Sequence, residues 1–224
     1  MKIHDVELEW LGHAAFKIRS SKEPLVLYID PYQISKTFND ADFVLITHSH
    51  YDHCSIEDIG KVVKDGTVML CTADAQSKIV KISKKLDIKI VEPNVELDFN
   101  NIKIKTIEAY NHSKKFHPKA ECWIGYILQI GSIVIYHSGD TDLIKEMEKL
   151  SGYGRKENFF VALLPVGGTY TMNAQEAAQA ASVIKPSLAI PMHYGSIVGS
   201  RGDAEIFVEL CKKKGIKAEI LEKS

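Results

Sequence analysis

Four side chains that can bind a metal ion fall within six residues of this chain. The segment His48–His53 reads His-Ser-His-Tyr-Asp-His and follows the β-type run Asp42–Thr47 directly. Imidazole nitrogens suit zinc and similar ions, and an added carboxylate keeps a site open to hydrolytic chemistry. A polar surface loop is the alternative, but four potential ligands so close behind a buried strand favour a metal centre. Its candidate ligands are His48, His50, Asp52 and His53.

Two further candidates stand where apolar runs end. Asp140 follows the run Ile133–His137, and His193 follows the run Leu188–Met192. Each has an ordinary structural interpretation, Asp140 as a helix N-cap and His193 as a core histidine. Beside the His48–His53 cluster a ligand role is favoured, because functional residues in layered α/β folds lie on the loops at strand ends.

The elements that must position these residues follow from hydrophobic periodicity. Many short strands with interspersed helices predict an α/β fold of two sheets packed face to face with helices outside, in one domain spanning residues 1–224. The predicted helices begin at Ser55 and Asp74, the latter running to Leu86, and span Thr141–Leu150, Asn173–Lys185 and Asp203–Lys214. The predicted strands include Val6–Leu11, Leu25–Ile29, Val68–Thr72, Ile102–Glu108, Cys122–Ile130, Phe159–Pro165 and a closing strand Lys217–Leu221.

Composition narrows the class of protein. With 224 residues, 45% hydrophobic residues and a net charge of -1, the chain has room for one well-buried core and lacks the basic excess of nucleic-acid binders. Its apolar runs are too short to cross a membrane. The four scattered cysteines and the absence of an apolar leader in Met1–Trp10 favour the cytoplasm. We therefore expect no nucleic-acid or membrane partner; a homo-oligomer is compatible with the sequence.

The motifs resemble those of the metallo-β-lactamase superfamily nearly from end to end. His48–His53 matches its His-x-His-x-Asp-His signature, Gly139–Thr141 resembles its bridging-aspartate motif, and Pro191–Tyr194 resembles the segment of its last metal histidine. The resemblance implies a four-layer αββα sandwich and a dinuclear hydrolase. Resemblance to the branch that includes the ascorbate-phosphate lactonases rests on Trp10–His13, Asp30-Pro31 and Pro165–Met172.

The resemblance also implies a ligand set. Histidine rather than glutamate at position 50 favours zinc as the first expectation and manganese as the second. In this assignment His48, His50 and a third histidine bind the first ion, Asp52, His53 and His193 bind the second, and Asp140 bridges the two.

Two histidines compete for the third position on the first ion. His117 lies in Phe-His-Pro-Lys, and the following Pro118 is expected to hold it in an extended conformation. His112 lies nearer the end of the strand Ile102–Glu108, but beside two lysines in a polar stretch that suggests solvent. We favour His117 as the ligand and expect His112 to be its neighbour.

The expected reaction is hydrolysis of a small-molecule lactone, ester or phosphodiester. Two ions about 3.5–4 Å apart can hold a hydroxide at neutral pH that attacks carbon or phosphorus, with Asp52 orienting it and accepting its proton. A metal-dependent nuclease is the alternative, and a non-catalytic binding protein is disfavoured by the intact ligand set. His13, Tyr170 and Tyr194 are expected to line the substrate pocket, and Asp30 to hold a metal-binding histidine from behind.

Overall fold

Two compact units make up the chain. The computed structural model describes residues 1–22, 24–112, 114–154 and 157–224. One unit comprises Met1–Glu92 with Glu222–Ser224, and the other comprises Pro93–Leu221. Each unit holds one β-sheet and its own helices, so the predicted α/β class with two sheets is confirmed. The single-domain assignment stays a prediction.

The first unit is built on a seven-stranded sheet whose strands follow one another in chain order. Strands β1 to β4 pair antiparallel, whereas β4 to β7 pair parallel. Parallel neighbours need crossover connections, and helices α1 and α2 lie in two of them. The elements are β1 Lys2–Ile3, β2 Val6–Gly12, β3 Ala15–Ser20, β4 Leu25–Ile29, β5 Ala41–Leu45, α1 Ile56–Val62, β6 Val63–Cys71, α2 Ala73–Ile79 and β7 Asp87–Ile90.

The burial pattern of β5 is that of a strand in the interior of a sheet. Four of its five residues are buried and only Asp42 is partly exposed, as expected of a parallel strand covered on both faces. Val44 joins Ile59 of α1 and Met69 of β6 in one apolar cluster. The chain therefore leaves a rigid strand just before the histidine cluster and enters a packed helix just after it.

The second unit is built on a six-stranded sheet in the order β13-β12-β11-β10-β9-β8. Pairing is antiparallel from β8 to β11 and parallel from β11 to β13. Helix α4 packs against α3 and β13. The elements are β8 Glu96–Asp98, β9 Lys103–Glu108, a 3-10 turn Lys119–Glu121, β10 Ile124–Ile130, β11 Ile133–His137, a 3-10 helix Lys145–Gly152, β12 Phe159–Pro165, α3 Ala174–Ile184, β13 Leu188–Met192 and α4 Arg201–Lys213.

Strongly patterned elements of the second unit agree with prediction at both ends. Strands β11, β12 and β13 have the predicted bounds, and Asn173 caps α3 with a capping box to Glu176. Each is a continuous apolar run or a capped helix, for which local sequence carries most of the information.

Several elements differ from prediction, three of them as follows. The closing strand Lys217–Leu221 is only a bridge: Ala189 N donates to Lys217 O and Glu219 N to Ala189 O. The next bond would need an N–H from Pro191, which has none, so the ladder stops. Helix α2 ends at Ile79, where hydrogen bonds shift to the i−3 spacing. The segment Thr141–Leu150 is a 3-10 helix that begins at Lys145.

Within the described parts of the chain, no helix has both the length and the apolar character of a membrane span.

Candidate metal centre

The histidine cluster lies on a tight loop between β5 and α1, as predicted. Ile46 and Thr47 continue the buried chain beyond β5, and Ser55 caps α1. The loop is closed by two backbone bonds, from His53 N and Cys54 N to His50 O (3.1 and 2.7 Å). Four potential ligands are therefore held on a single short turn.

Donor atoms in the first unit pair at distances that suit shared ions. His48 Nε2 lies 3.1 Å from His50 Nδ1, and Asp52 Oδ2 lies 3.5 Å from His53 Nε2. Two ligands bonded at about 2.0–2.1 Å to one tetrahedral ion lie roughly 3.3 Å apart. The donors of this unit thus fit a divalent ion, and the division of ligands between two ions stays a prediction.

Asp30 sets the orientation of two of these histidines. Its carboxylate is fully buried and accepts from Thr47 N (2.8 Å), from Thr47 Oγ1 (2.6 Å) and from His53 Nδ1 (2.7 Å). Since the Thr47 hydroxyl donates to Asp30, it accepts from His48 Nδ1 (2.9 Å). Both imidazoles then carry their proton on Nδ1 and present the Nε2 lone pair, as a metal ligand must.

This arrangement supports the role predicted for Asp30 and adds one residue that the sequence reasoning missed. Thr47 connects Asp30 to His48 through its hydroxyl. The sign of this role in the sequence is the position of Thr47, between a buried strand and the first histidine of the motif.

His13 lies against the ligands of the first unit. Its side chain is buried, and Nε2 is 2.9 Å from Asp52 Oδ2. The donor atoms of His13, Asp52 and His53 all lie within 4.8 Å of one another. The sequence placed His13 on the pocket wall, whereas the structure places it among the donors, beside the proposed base.

In the second unit one carboxylate oxygen contacts two histidines. Asp140 Oδ2 lies 3.1 Å from His117 Nε2 and 3.1 Å from His193 Nε2. All three side chains are buried. This spacing again suits donors that can bind a divalent ion.

The two competing histidines have different surroundings. His117 is buried beside Asp140, whereas His112 is exposed and its backbone N–H donates to Asp142 Oδ2 (2.9 Å). The ring of His112 packs edge-on against Tyr110, with 4.9 Å between the ring centres. These positions support His117 as the ligand.

The expected extended backbone at His117 is wrong, since its φ is +58°. Positive φ also occurs at His13, Asp30 and His193. Residues other than glycine adopt this region at an energetic cost, and they keep it only where the surrounding structure imposes it. For His117 the constraint is its loop, in which Asn111 N donates to His117 O (2.8 Å). Local sequence could not have revealed this shared feature of four candidate residues.

The two tyrosines assigned to the substrate pocket differ in exposure. Tyr170 is partly exposed, its ring packs edge-on against Phe116, and its carbonyl oxygen lies 3.1 Å from His117 Nδ1. Tyr194 has only 4% of its surface exposed. Substrate contact by either ring stays a prediction, whereas the carbonyl of Tyr170 already has a contact with a candidate ligand.

Cys54 directly follows the histidine cluster and is buried. Burial raises the pKa of its thiol to about 12, so the group is protonated at neutral pH. Cys54 packs in the apolar cluster of the first unit.

Comparison with known proteins identifies the family. Residues 7–193 match the model of the β-lactamase superfamily domain. A UPF0173 metal-dependent hydrolase of Thermoplasma acidophilum is 33% identical over 221 residues, covering 95% of this chain and 94% of that protein.

Solved structures show the same fold. A Parabacteroides distasonis protein assigned as a metal-dependent hydrolase superposes with a TM-score of 0.81 at 28% identity, covering 98% of this chain and 94% of the other. A metallo hydrolase from Ignicoccus hospitalis superposes with a TM-score of 0.77 at 24% identity, covering 98% and 96% of the two chains. The branch of the ascorbate-phosphate lactonases stays a prediction. The chain belongs to the metallo-β-lactamase superfamily, and within it to a group whose curated members are named metal-dependent hydrolases.

Proposed function

We propose that the protein is a hydrolase with a dinuclear metal centre that cleaves a small-molecule lactone, ester or phosphodiester. The observation that carries this proposal is the position of Asp140 Oδ2, 3.1 Å from both His117 Nε2 and His193 Nε2. Zinc is the first candidate ion and manganese the second. The proposed ligands are His48, His50 and His117 for one ion, Asp52, His53 and His193 for the other, and Asp140 for both.

In the proposed reaction, the bound ions, Asp52 and Asp30 have different roles. Divalent ions, when bound, lower the pKa of water and stabilise negative charge that develops on a substrate oxygen. Asp52 orients the attacking water and accepts its proton, and the contact between Asp52 Oδ2 and His13 Nε2 (2.9 Å) holds this carboxylate in position. Asp30 keeps His48 and His53 in the tautomer that presents Nε2.

The first test is the metal content of the purified protein and of Asp140→Ala. We expect about two ions per chain in the native protein, as in two-metal hydrolytic sites, and loss of at least one in the variant. Without the bridging carboxylate, two cations face each other with less compensating charge. Asp58→Asn, which changes another buried carboxylate, is the control and should keep its metal. Elemental analysis showing unchanged content in Asp140→Ala would contradict the bridging role.

The substrate class is tested by an activity screen. Lactones, thioesters, phosphodiesters and short RNA should be compared with the native protein and with Asp52→Asn, which keeps the shape of the side chain but is a far weaker base. We expect turnover of a small-molecule class that is reduced at least about 100-fold in the variant, in line with the usual contribution of a general base. Turnover confined to RNA would replace the proposed substrate class.

A matched pair of variants tests the disputed ligand. His117→Ala should lose metal and activity, because a buried imidazole beside Asp140 is removed. His112→Ala should keep metal, because this side chain is exposed. Metal analysis and rates on both variants decide the assignment, and the reverse pattern would show that His112 is the ligand.

A further inference from the structure

We propose that Asn111 is a positioning residue that aims His117 at the metal centre through the carbonyl group of Tyr170. The inference rests on the proposed function in one respect, that His117 is a metal ligand. The sequence offers no sign of this role, since Asn111 is one polar residue in a polar stretch after β9.

The contacts of Asn111 reach both segments that surround His117. Its side chain is buried, and Nδ2 donates to Phe116 O (2.8 Å) and to Tyr170 O (2.6 Å). Its backbone N–H donates to His117 O (2.8 Å). One residue therefore ties the end of β9 to the loop that carries His117 and to the loop that carries Tyr170.

The hydrogen bonds determine which nitrogen of His117 carries the proton. His117 Nδ1 is 3.1 Å from Tyr170 O, which can only accept, so Nδ1 carries the hydrogen. Asn111 Nδ2 is 3.2 Å from the same Nδ1, but both of its hydrogens already point to carbonyl groups. Asn111 and His117 thus donate to one shared oxygen, and the Nε2 lone pair of His117 faces Asp140 Oδ2.

Polar contacts hold this loop together with two ring contacts, of Phe116 with Tyr170 and of His117 with Trp123. Phe116, immediately before His117, is 47% exposed, and His112 is exposed as well. His117 itself has a φ of +58°, a conformation that persists only where neighbouring groups impose it. The amide of Asn111 is the side chain that bonds the carbonyl groups on both sides of this imidazole, so its loss should let Nε2 turn away from Asp140.

A double-mutant cycle distinguishes positioning from general support of the loop. Zn²⁺ affinity is measured by competition with a chromophoric chelator for the native protein, Asn111→Ala, His117→Ala and the double variant. We expect Asn111→Ala to weaken Zn²⁺ binding about 10–100-fold, the usual effect of losing a partner that orients a ligand. In the His117→Ala background the same change should have less than about a twofold effect, because the residue acts through His117.

Two further measurements keep the test decisive. Asn111→Ser retains one donor and should bind Zn²⁺ with intermediate affinity, and it replaces Asn111→Ala in the cycle if that variant does not fold. The absorption spectrum of the Co²⁺-loaded protein should change in Asn111→Ala, because the geometry of one imidazole changes.

The outcomes separate the inference from the proposed function. Equal weakening of Zn²⁺ binding in both backgrounds, or no weakening in Asn111→Ala, would overturn the positioning role. Full Zn²⁺ binding by His117→Ala would instead overturn the proposed ligand set.

Discussion

Two buried histidines of the first unit become candidate ligands through a set of short hydrogen bonds. The Asp30 carboxylate accepts two hydrogen bonds from Thr47 and one from His53. The Thr47 hydroxyl in turn accepts a hydrogen bond from His48 Nδ1 and so orients that ring. Histidine can bind a metal through either ring nitrogen, and the partner of the other nitrogen decides which one is presented. The chemistry of the cluster therefore depends on a carboxylate that is not among the proposed ligands.

Asp30→Asn tests this dependence. The amide places a donor against groups that also donate, so His53 and Thr47 lose a partner. We expect Zn²⁺ affinity to fall about 10–100-fold and the free energy of unfolding of the metal-free protein to fall by about 1–3 kcal/mol. Chelator competition and urea unfolding measure the two effects. The control Asp58→Asn should lose stability without losing affinity, and native affinity in Asp30→Asn would contradict the role.

At the scale of elements, the first turn of α1 both caps the helix and holds a neighbouring loop. Ser55 caps the helix as expected, with its hydroxyl accepting from Asp58 N (3.3 Å). The Asp58 carboxylate accepts from Gln33 N (2.9 Å) and Ile34 N (3.0 Å) and so ties α1 to the loop after β4. Burial raises the pKa of Asp58, but hydrogen bonds from Ser55, Lys61 and the two backbone groups outweigh it and lower the pKa below its usual value.

The lowered pKa gives a prediction with a definite sign. The charged form of Asp58 stabilises the fold above its unfolded-state pKa of about 3.9, and this contribution is lost as the pH falls through the lower folded-state pKa. Asp58→Asn should reduce the free energy of unfolding at pH 7 by about 1–3 kcal/mol. Below pH 4 the difference from the native protein should shrink, as urea unfolding at several pH values would measure. A difference that is constant with pH would contradict this account.

A glycine after β12 limits where His193 can lie. A Cβ on Gly167 would lie 2.5 Å from His193 O and 2.9 Å from Val198 Cγ1. The backbone of His193 already has a φ of +59°, so it has little freedom to move aside. Gly167→Ala should therefore cost about 1–3 kcal/mol of stability and reduce the metal content.

The control for this variant is Gly60→Ala in α1, where an added Cβ meets nothing within 4 Å. It should be neutral or stabilise by up to about 1 kcal/mol, since alanine is the better helix former. Thermal unfolding and elemental analysis compare the two variants. Native metal content and stability in Gly167→Ala would contradict the constraint.

At the scale of the whole molecule, ion binding should stabilise the folded chain. An ion that binds only the folded state adds about 2.7 kcal/mol to the free energy of unfolding when its concentration is 100 times its Kd. For a chain of this size that corresponds to a rise in Tm of roughly 5–10 °C.

Chelation of the native protein should lower Tm by this amount, and added Zn²⁺ should restore it. Asp140→Ala, which lacks the proposed bridging ligand, should show a smaller shift on the same treatment. Differential scanning calorimetry gives both values, and a Tm that does not respond to chelator would argue against resident ions.

The sequence by itself determined the family, the class of site and the strongest elements of the fold. His48–His53 concentrates its ligands in six residues, so their convergence needs no long-range information, and the apolar runs of β11, β12 and β13 define their own bounds. The preference for His117 over His112 as a ligand stays a prediction, and the conformation expected from Pro118 was wrong.

Only the tertiary structure decided how these residues are oriented. Thr47 meets Asp30 across 17 positions of the chain, His13 meets Asp52 across 39, and Asn111 meets Tyr170 across 59. The surrounding tertiary structure also imposes the positive φ values of four candidate residues, which are His13, Asp30, His117 and His193. Local sequence shows which side chains a segment carries. The protonated nitrogen and the orientation of an imidazole depend instead on hydrogen-bond partners that folding brings from distant segments.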